Sequence, residues 1–206
     1  MRRRIVAAIL ANTPRALLPW SDTSRLRAVA REVCSTSCEK VAVVGNLGAA
    51  LRGLPVALIP DLEEGKSAAI RGAVDWALRC GAEGLLLVDG DQAHLDRNHL
   101  DSMLRAFRET RVPVSSYVDN DLAMPAVFGV ETFARLARLT GDHDARQVLK
   151  AAPIVKVIPW PEEWIDRAID DAIDIVLDDL VERALEANAT PIPISEEVAM
   201  RVVLDP

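Results

Sequence analysis

The feature that most restricts the fold of this chain is the alternation of short apolar runs with amphipathic segments. The apolar runs, several of them rich in β-branched residues, span residues 4–10, 40–45, 55–59, 84–88, 112–118 and 153–158. Between them, residues 24–34, 67–80, 98–109 and 130–139 place apolar side chains three and four positions apart. Runs of the first kind are typical of strands buried on both faces, and segments of the second kind are typical of helices packed on a core. The pattern therefore predicts a three-layer, Rossmann-like α/β fold with a mostly parallel sheet.

The length of the chain favours a single main domain. With 206 residues, it can bury a core of the size usual for one α/β domain. Residues 1–160 carry the strand and helix alternation, which we assign to this domain. Residues 161–206 contain one long acidic helical segment, about 162–187, and a short tail with two prolines. We expect this part to pack on the same domain.

Composition and charge exclude several classes of function. A net charge of -7 argues against broad binding of nucleic acid, which needs a basic face. The apolar runs are far too short to cross a membrane. The three cysteines form no CxxC pair, so neither a disulfide framework nor a zinc site is indicated, and a cytoplasmic location fits best.

The stretch VDGDQAHL, residues 88–95, places two carboxylates around a glycine at the end of an apolar run. Ligands of open α/β sheets bind beyond the carboxyl ends of the strands. A carboxylate such as Asp91 could there hold Mg²⁺ together with nucleotide phosphates. The alternative is a plain turn in which Asp96 caps the next helix.

A second candidate segment, residues 59–71, couples a strand end to the helix start EEGKSAAIR. Backbone N–H groups at a helix start, with Ser67 and the nearby cations Lys66 and Arg71, suit a phosphate or a nucleobase edge. The alternative is an ordinary helix start in which Ser67 is the cap and Lys66 points into solvent. The segment lacks the two spaced glycines of the phosphate loop of NTPases.

Taken in order, these segments resemble the molybdenum-cofactor nucleotidyltransferases, particularly the cytidylyltransferase branch, whose domain is MobA-like and glycosyltransferase-A-like. The matching residues are LLPW (17–20), VAVVGN (41–46), PDLEEGKSAAIR (60–71), LLLVDGDQAHL (85–95), MPAVF (124–128) and LTGDHDAR (139–146). The resemblance implies transfer of a nucleotide from an NTP, CTP or GTP, to a phosphorylated pterin. It makes Asp91 the residue that binds Mg²⁺, and it places Lys66, Ser67 and Arg71 at the nucleotide.

The family's glycine-rich signature loop after the first strand is replaced here by ILANTPRALLPW. In this register Leu10, Ala11 and Asn12 occupy the nucleotide-binding loop, and Arg15 takes the place of the catalytic lysine. The glycines and the other basic residues of the loop are missing. Pro14 also removes one backbone donor. The resemblance therefore predicts weak turnover or none.

The family's second metal ligand comes from a motif near the C-terminal end, for which Asp174 is the nearest counterpart. The alternative is that Asp174 lies on a solvated helix face, because acidic residues recur every four positions opposite an apolar stripe. In the segment GDHDAR we expect Asp142 to cap a helix, with Asp144 at the family's second glycine. We interpret His94, His99 and His143 as surface residues.

Two hypotheses of different class follow. The first is a Mg²⁺-dependent nucleotidyltransferase with weak activity. The second is a non-catalytic relative that keeps the fold and binds a small molecule or a protein partner. The retained segments EEGKSAAIR, GDQ and GDHDAR favour the first, and the altered loop favours the second.

Overall fold

The apolar run that follows the N-terminal arginines forms an interior strand of the sheet. In the computed structural model, which describes residues 4–11, 13–45, 48–60, 65–141, 143–161 and 164, this strand is fully buried. The strands are β1 Ile5–Leu10, β2 Pro19–Trp20, β3 Thr23–Ser24, β4 Lys40–Val44, β5 Val56–Ile59, β6 Gly84–Asp89, β7 Val114–Val118, β8 Asp121–Gly129 and β9 Lys156–Pro159. The helices are α1 Arg25–Cys34, α2 Lys66–Arg79, α3 Arg97–Thr110, α4 Val130–Leu136 and α5 Arg146–Lys150.

The sheet has seven strands in the order β5-β4-β1-β6-β8-β7-β9, and β2 and β3 form a separate small hairpin. All neighbours pair in parallel except β8, which is antiparallel to β6 and to β7. The predicted α/β fold with a mostly parallel sheet is therefore confirmed. Strands β7 and β9 begin two or three residues later than predicted. In each case a proline, Pro113 or Pro153, lies among the first residues of the predicted strand. Proline has no N–H to donate to a neighbouring strand.

Strand β8 is the element that the sequence pattern did not predict. Its residue Pro125 argues against a central strand, because proline cannot donate to the ladder. The register with β7 shifts between Ser115 and Ser116, so that the partners pass from Ala126 to Ala123 and the proline falls in the irregularity. The turn into β8 is Asp119–Asn120, and both of its residues have positive φ, as tight hairpin turns require.

The core lies on both faces of the sheet because alternate strand residues point in opposite directions. Ile5, Ala7 and Ile9 of β1 pack in the cluster that contains the buried faces of α1 and α3. Val6 and Ala8 pack in the cluster that contains those of α2, α4 and α5. This is the three-layer arrangement. All described residues belong to one compact unit, Met1–Trp164. No helix within the described ranges has the length and apolarity needed to cross a membrane.

Two histidines that we expected on the surface are buried, which corrects that interpretation. His94 and His99 are 7% and 6% exposed. The His99 ring lies 4.5 Å from the Trp164 ring, and its Nε2 lies 2.9 Å from Ser116 Oγ. Burial lowers the pKa of His99 to about 4, against the opposing charge of Asp96, so the ring is neutral at physiological pH.

Several sequence predictions fall outside the described residues. These are the acidic helix at 162–187 apart from Trp164, the tail that follows it, and the roles of Asn12, Asp142 and Asp174. The assignment of residues 161–206 to the main domain stays a prediction.

At the carboxyl edge of the sheet, the ends of four strands, β1, β4, β5 and β6, run close together. Ala11 N donates to Val44 O, Gly45 N to Ile59 O, and Gly90 N to Leu10 O, each at 2.9 Å. Gly45 has a φ of +143°, and a Cβ at this position would lie 2.6 Å from Ala11 O. A side chain at Gly45 would therefore push β1 and β4 apart where they leave the sheet.

We predict that Gly45→Ala lowers the free energy of unfolding by about 3 kcal/mol, from backbone strain together with the clash against Ala11 O. The matched control is Gly53→Ala, where φ is also positive, at +82°, but no atom lies within 4 Å of the added Cβ. The free energy of unfolding of the control should fall by only about 1 to 2 kcal/mol, because the backbone strain is its only cost. Urea unfolding measures both variants, and equal losses would contradict the close-packing argument.

Candidate active site

The candidate site lies where β6, α2 and the loop before α5 meet at the carboxyl edge of the sheet. Strand β6 ends at Asp89, helix α2 starts at Lys66, and α5 starts at Arg146. No side chain of the described residues caps the start of α2, whose N-cap is Gly65 with a φ of +104°. Ser67 is therefore not the cap that the plain-helix alternative required.

Lys66 connects the three segments. Its Nζ lies 3.3 Å from Asp89 Oδ1 and 3.1 Å from Asp144 Oδ2. Asp144 is held in turn by Arg146, whose backbone N donates to Asp144 Oδ1 and whose Nε donates to Asp144 Oδ2, both at 3.1 Å. The lysine is thus partly buried between two carboxylates instead of pointing into solvent.

The pKa shifts show which of these groups are charged. Burial lowers the pKa of Lys66, but the charges of Asp89 and Asp144 outweigh it, and the net shift is upward. For Asp144, burial raises the pKa, but Lys66 and the hydrogen bond from Arg146 lower it by more. The net shift in the pKa of Asp144 is therefore downward. The pKa of Asp89 is raised because burial and the neighbouring charges of Asp91 and Asp144 outweigh Lys66. Lys66 and Asp144 are therefore firmly charged at neutral pH.

Asp91 differs from the other two carboxylates because it is unpaired within the described part of the chain. It lies two residues beyond β6 and is half-buried, and no described residue forms a hydrogen bond or ion pair with its carboxylate. Its loop is nevertheless anchored. Ala93 N donates to Asp91 O at 3.0 Å, a bond that the family's proline could not make, and Gln92 Nε2 donates to Met124 O at 3.1 Å. Asp96 caps α3 by accepting from His99 N at 2.9 Å, so the cap of the turn-and-cap alternative is present, and the half-buried Asp91 carboxylate remains unpaired beside it.

The described residues offer no cluster of three or more His, Cys, Asp or Glu side chains suited to a metal ion. A magnesium ion bound with a nucleotide does not need one, since one or two carboxylates and the phosphate oxygens commonly complete its ligands. The unpaired carboxylate of Asp91 fits this requirement. Asp89 is already paired with Lys66, and Asp144 with both Lys66 and Arg146.

Ser67 and Arg71 lie elsewhere than the sequence suggested. Ser67 is 2% exposed, and its Oγ donates to Gly141 O at 2.5 Å. Arg71 Nη1 lies 2.7 Å from Leu139 O and 3.3 Å from Ser67 Oγ. In this structure the two side chains fasten the segment between α4 and α5 to helix α2. The geometry favours a supporting role for both over the direct nucleotide contact that we expected.

Leu10 and Ala11 are likewise part of the framework. Both are buried, and Ala11 N and Leu10 O already take part in the hydrogen bonds of the sheet edge. The expectation that they offer backbone groups to a nucleotide does not match this geometry. Arg15 is exposed in the short 3-10 turn Pro14–Leu17, and its guanidinium group has no hydrogen bond or ion pair with any described residue.

Sequence reasoning missed Asp89 and Asp144 as members of the site. Asp89 is the first carboxylate of the DGD stretch, but the motif predicts a role only for the second, Asp91. Asp144 stands where the family has a glycine, and Lys66 stands in the helix start. The signal for an ion pair was that Asp144 replaces the family's glycine and that Lys66 lies in another segment predicted to reach the same sheet edge.

Comparison with known proteins gives the same fold. Rv0371c from Mycobacterium tuberculosis H37Rv, solved as a complex with manganese, aligns with a TM-score of 0.63 and 22% identity over 78% of this chain and 89% of that protein. A 4-diphosphocytidyl-2C-methyl-D-erythritol synthase aligns with a TM-score of 0.63 and 16% identity over 78% of this chain and 91% of that one. CMP:2-keto-3-deoxy-manno-octonic acid synthetase complexed with CTP aligns with a TM-score of 0.60 and 11% identity, over 76% of this chain and 90% of that one.

At these identities the likeness establishes the nucleotide-diphospho-sugar transferase fold alone. No curated protein matches the sequence. The sequence does match the MobA-like NTP transferase domain over residues 10–157, well over half of the 206-residue chain. The chain therefore belongs to the MobA-like NTP transferase domain family.

Proposed function

We propose that this protein binds a nucleoside triphosphate and a divalent cation at the carboxyl edge of its sheet, with Asp91 as the metal-binding carboxylate. The observation that carries the proposal is the unpaired, half-buried carboxylate of Asp91 near Asp89, while Asp89 and Asp144 are both paired with Lys66. A carboxylate that has no partner within the described chain keeps its oxygens available as ligands for a cation. The manganese complex of Rv0371c and the CTP complex of the octonic acid synthetase support the choice of ligands.

The reaction that fits this site is nucleotidyl transfer. A phosphate oxygen of the acceptor would form a bond to the α-phosphorus of the nucleotide, while the bond from that phosphorus to the bridging oxygen of the β-phosphate breaks and pyrophosphate leaves. Mg²⁺, when bound, would neutralise charge on the phosphates. The task of the chain is to position the phosphates and to offset their charge.

Individual residues have distinct roles in this proposal. Asp91 holds the cation, Lys66 presents a fixed positive charge beside it, and the exposed Arg15 is available to the pyrophosphate. Ser67 and Arg71 hold the segment at Leu139–Gly141 that forms one wall of the site. By its resemblance to the cytidylyltransferase branch, we further propose CTP or GTP as the nucleotide and a phosphorylated pterin as the acceptor. The cytoplasm remains the location that the free thiols of the cysteines favour.

The altered loop after β1 favours low activity. Where the family wraps the triphosphate with glycine amides and several basic residues, this chain offers Arg15, and the amide of Ala11 is bonded to Val44 O. Removing one preorganised donor to a developing oxyanion typically lowers turnover about 10²- to 10³-fold. The second candidate function, a non-catalytic module that binds a small molecule or a protein, rests on the same observation.

We predict that Asp91→Asn abolishes the magnesium-dependent part of nucleotide binding. In thermal unfolding, CTP or GTP with Mg²⁺ should stabilise the wild type by about 2.7 kcal/mol at a hundred times its dissociation constant. The variant should respond equally with and without Mg²⁺. Asp119→Asn is the matched control, because it removes an exposed carboxylate from the β7–β8 turn at the same sheet edge. Unchanged magnesium dependence in Asp91→Asn would refute the assignment.

We also predict that pyrophosphate release stays well below about 1 s⁻¹ with each of CTP, GTP, ATP and UTP, in the presence of Mg²⁺ and a molybdopterin-type acceptor. The reason is the loss of backbone donors and cations from the loop after β1. A coupled phosphate assay measures the rate. Turnover of about 1 s⁻¹ or faster would show that another segment has taken over the phosphates.

A further inference from the structure

The position of Lys66 raises a question that family membership does not answer. A positive charge at contact distance from two carboxylates occupies the space that a divalent cation would take between them. Asp89 and Asp144 come from different segments, and Lys66 Nζ lies 3.3 Å and 3.1 Å from their oxygens. The Lys66 ammonium group therefore occupies the position between two carboxylates that could otherwise bind one cation together.

We propose that Lys66 is a built-in cation that takes the place of a second divalent metal ion, so that this site accepts a single metal ion, at Asp91. The inference rests on the proposed function for the Asp91 site, but it concerns Lys66, Asp89 and Asp144. It makes Lys66 a positioning residue that fixes both carboxylates and sets the number of metal ions.

Three observations support the assignment. The bridge is partly buried, with the Lys66 and Asp144 side chains 29% and 17% exposed, so it is less weakened by water than a surface pair. The raised pKa of Lys66 keeps its charge in place through the physiological range. Arg146 also holds Asp144 through both carboxylate oxygens, so the carboxylate cannot turn away from Lys66 without losing two further hydrogen bonds.

The local charge balance agrees with a single metal ion. Within the group, Lys66 and Arg146 offset the charges of Asp89 and Asp144, which leaves Asp91 as the one negative charge without a neighbouring cation among the described residues. One divalent ion at Asp91 would make the site positive and ready for a triphosphate. A second ion between Asp89 and Asp144 would have to displace the ammonium group of Lys66.

The test is a titration of the full chain with Mn²⁺ alone. Calorimetry and the electron paramagnetic resonance signal of free Mn²⁺ measure how many ions bind. We expect the wild type to bind about one ion and Lys66→Met to bind about two, because Asp89 and Asp144 become available as ligands. The second ion should disappear in the double variant Lys66→Met/Asp144→Asn. Lys66→Arg keeps the cation and should retain the wild-type count.

Lys150→Met is the matched control, since it removes a lysine from an exposed ion pair with Asp121 and should leave the count at one. If Lys66→Met fails to fold, Lys66→Gln serves with the same expectation. A second ion in the wild type, or no gain in either uncharged Lys66 variant, would overturn the proposal. A wild type that binds none while Lys66→Met binds one would support the role of Lys66 and contradict the metal site at Asp91.

Discussion

The ion pairs of Lys66 with Asp89 and Asp144 are the interaction on which the organisation of the site depends. They join the start of α2, the end of β6 and the loop before α5, three segments that are far apart in sequence. Two carboxylates at a partly buried sheet edge would repel each other without a cation between them. Lys66 supplies this cation from within the chain, and it leaves Asp91 as the carboxylate that is open to a ligand.

The strands bring these groups together because three of them leave the sheet side by side. Glycines at positions 45 and 90 allow the segments after β4 and β6 to pass close to the end of β1, where a Cβ would lie 2.6 Å and 3.0 Å from backbone oxygens. This packing engages Ala11 N and Leu10 O in hydrogen bonds of the sheet edge. The same residues that stabilise the edge therefore limit what remains for phosphate binding.

The periodicity of apolar residues predicted the layers and most strands, because burial on both faces leaves a strong pattern in the sequence. It missed β8, since Pro125 and a register shift hide a strand that lies between two neighbours. Motif order placed Asp91 at a strand end. The partners of Lys66 and the inward hydrogen bonds of Ser67 and Arg71 depend on contacts between segments distant in sequence, which a local pattern does not encode.

The chain is a MobA-like NTP transferase domain in which Lys66 organises the partly buried carboxylates at the carboxyl edge of the sheet. Anomalous diffraction from crystals soaked with Mn²⁺ and CTP tests this organisation most directly, because the manganese signal locates each ion independently of activity. We expect one manganese peak at the Asp91 carboxylate, with Lys66 still between Asp89 and Asp144. A peak between Asp89 and Asp144 with Lys66 displaced, or a nucleotide bound away from this sheet edge, would contradict it.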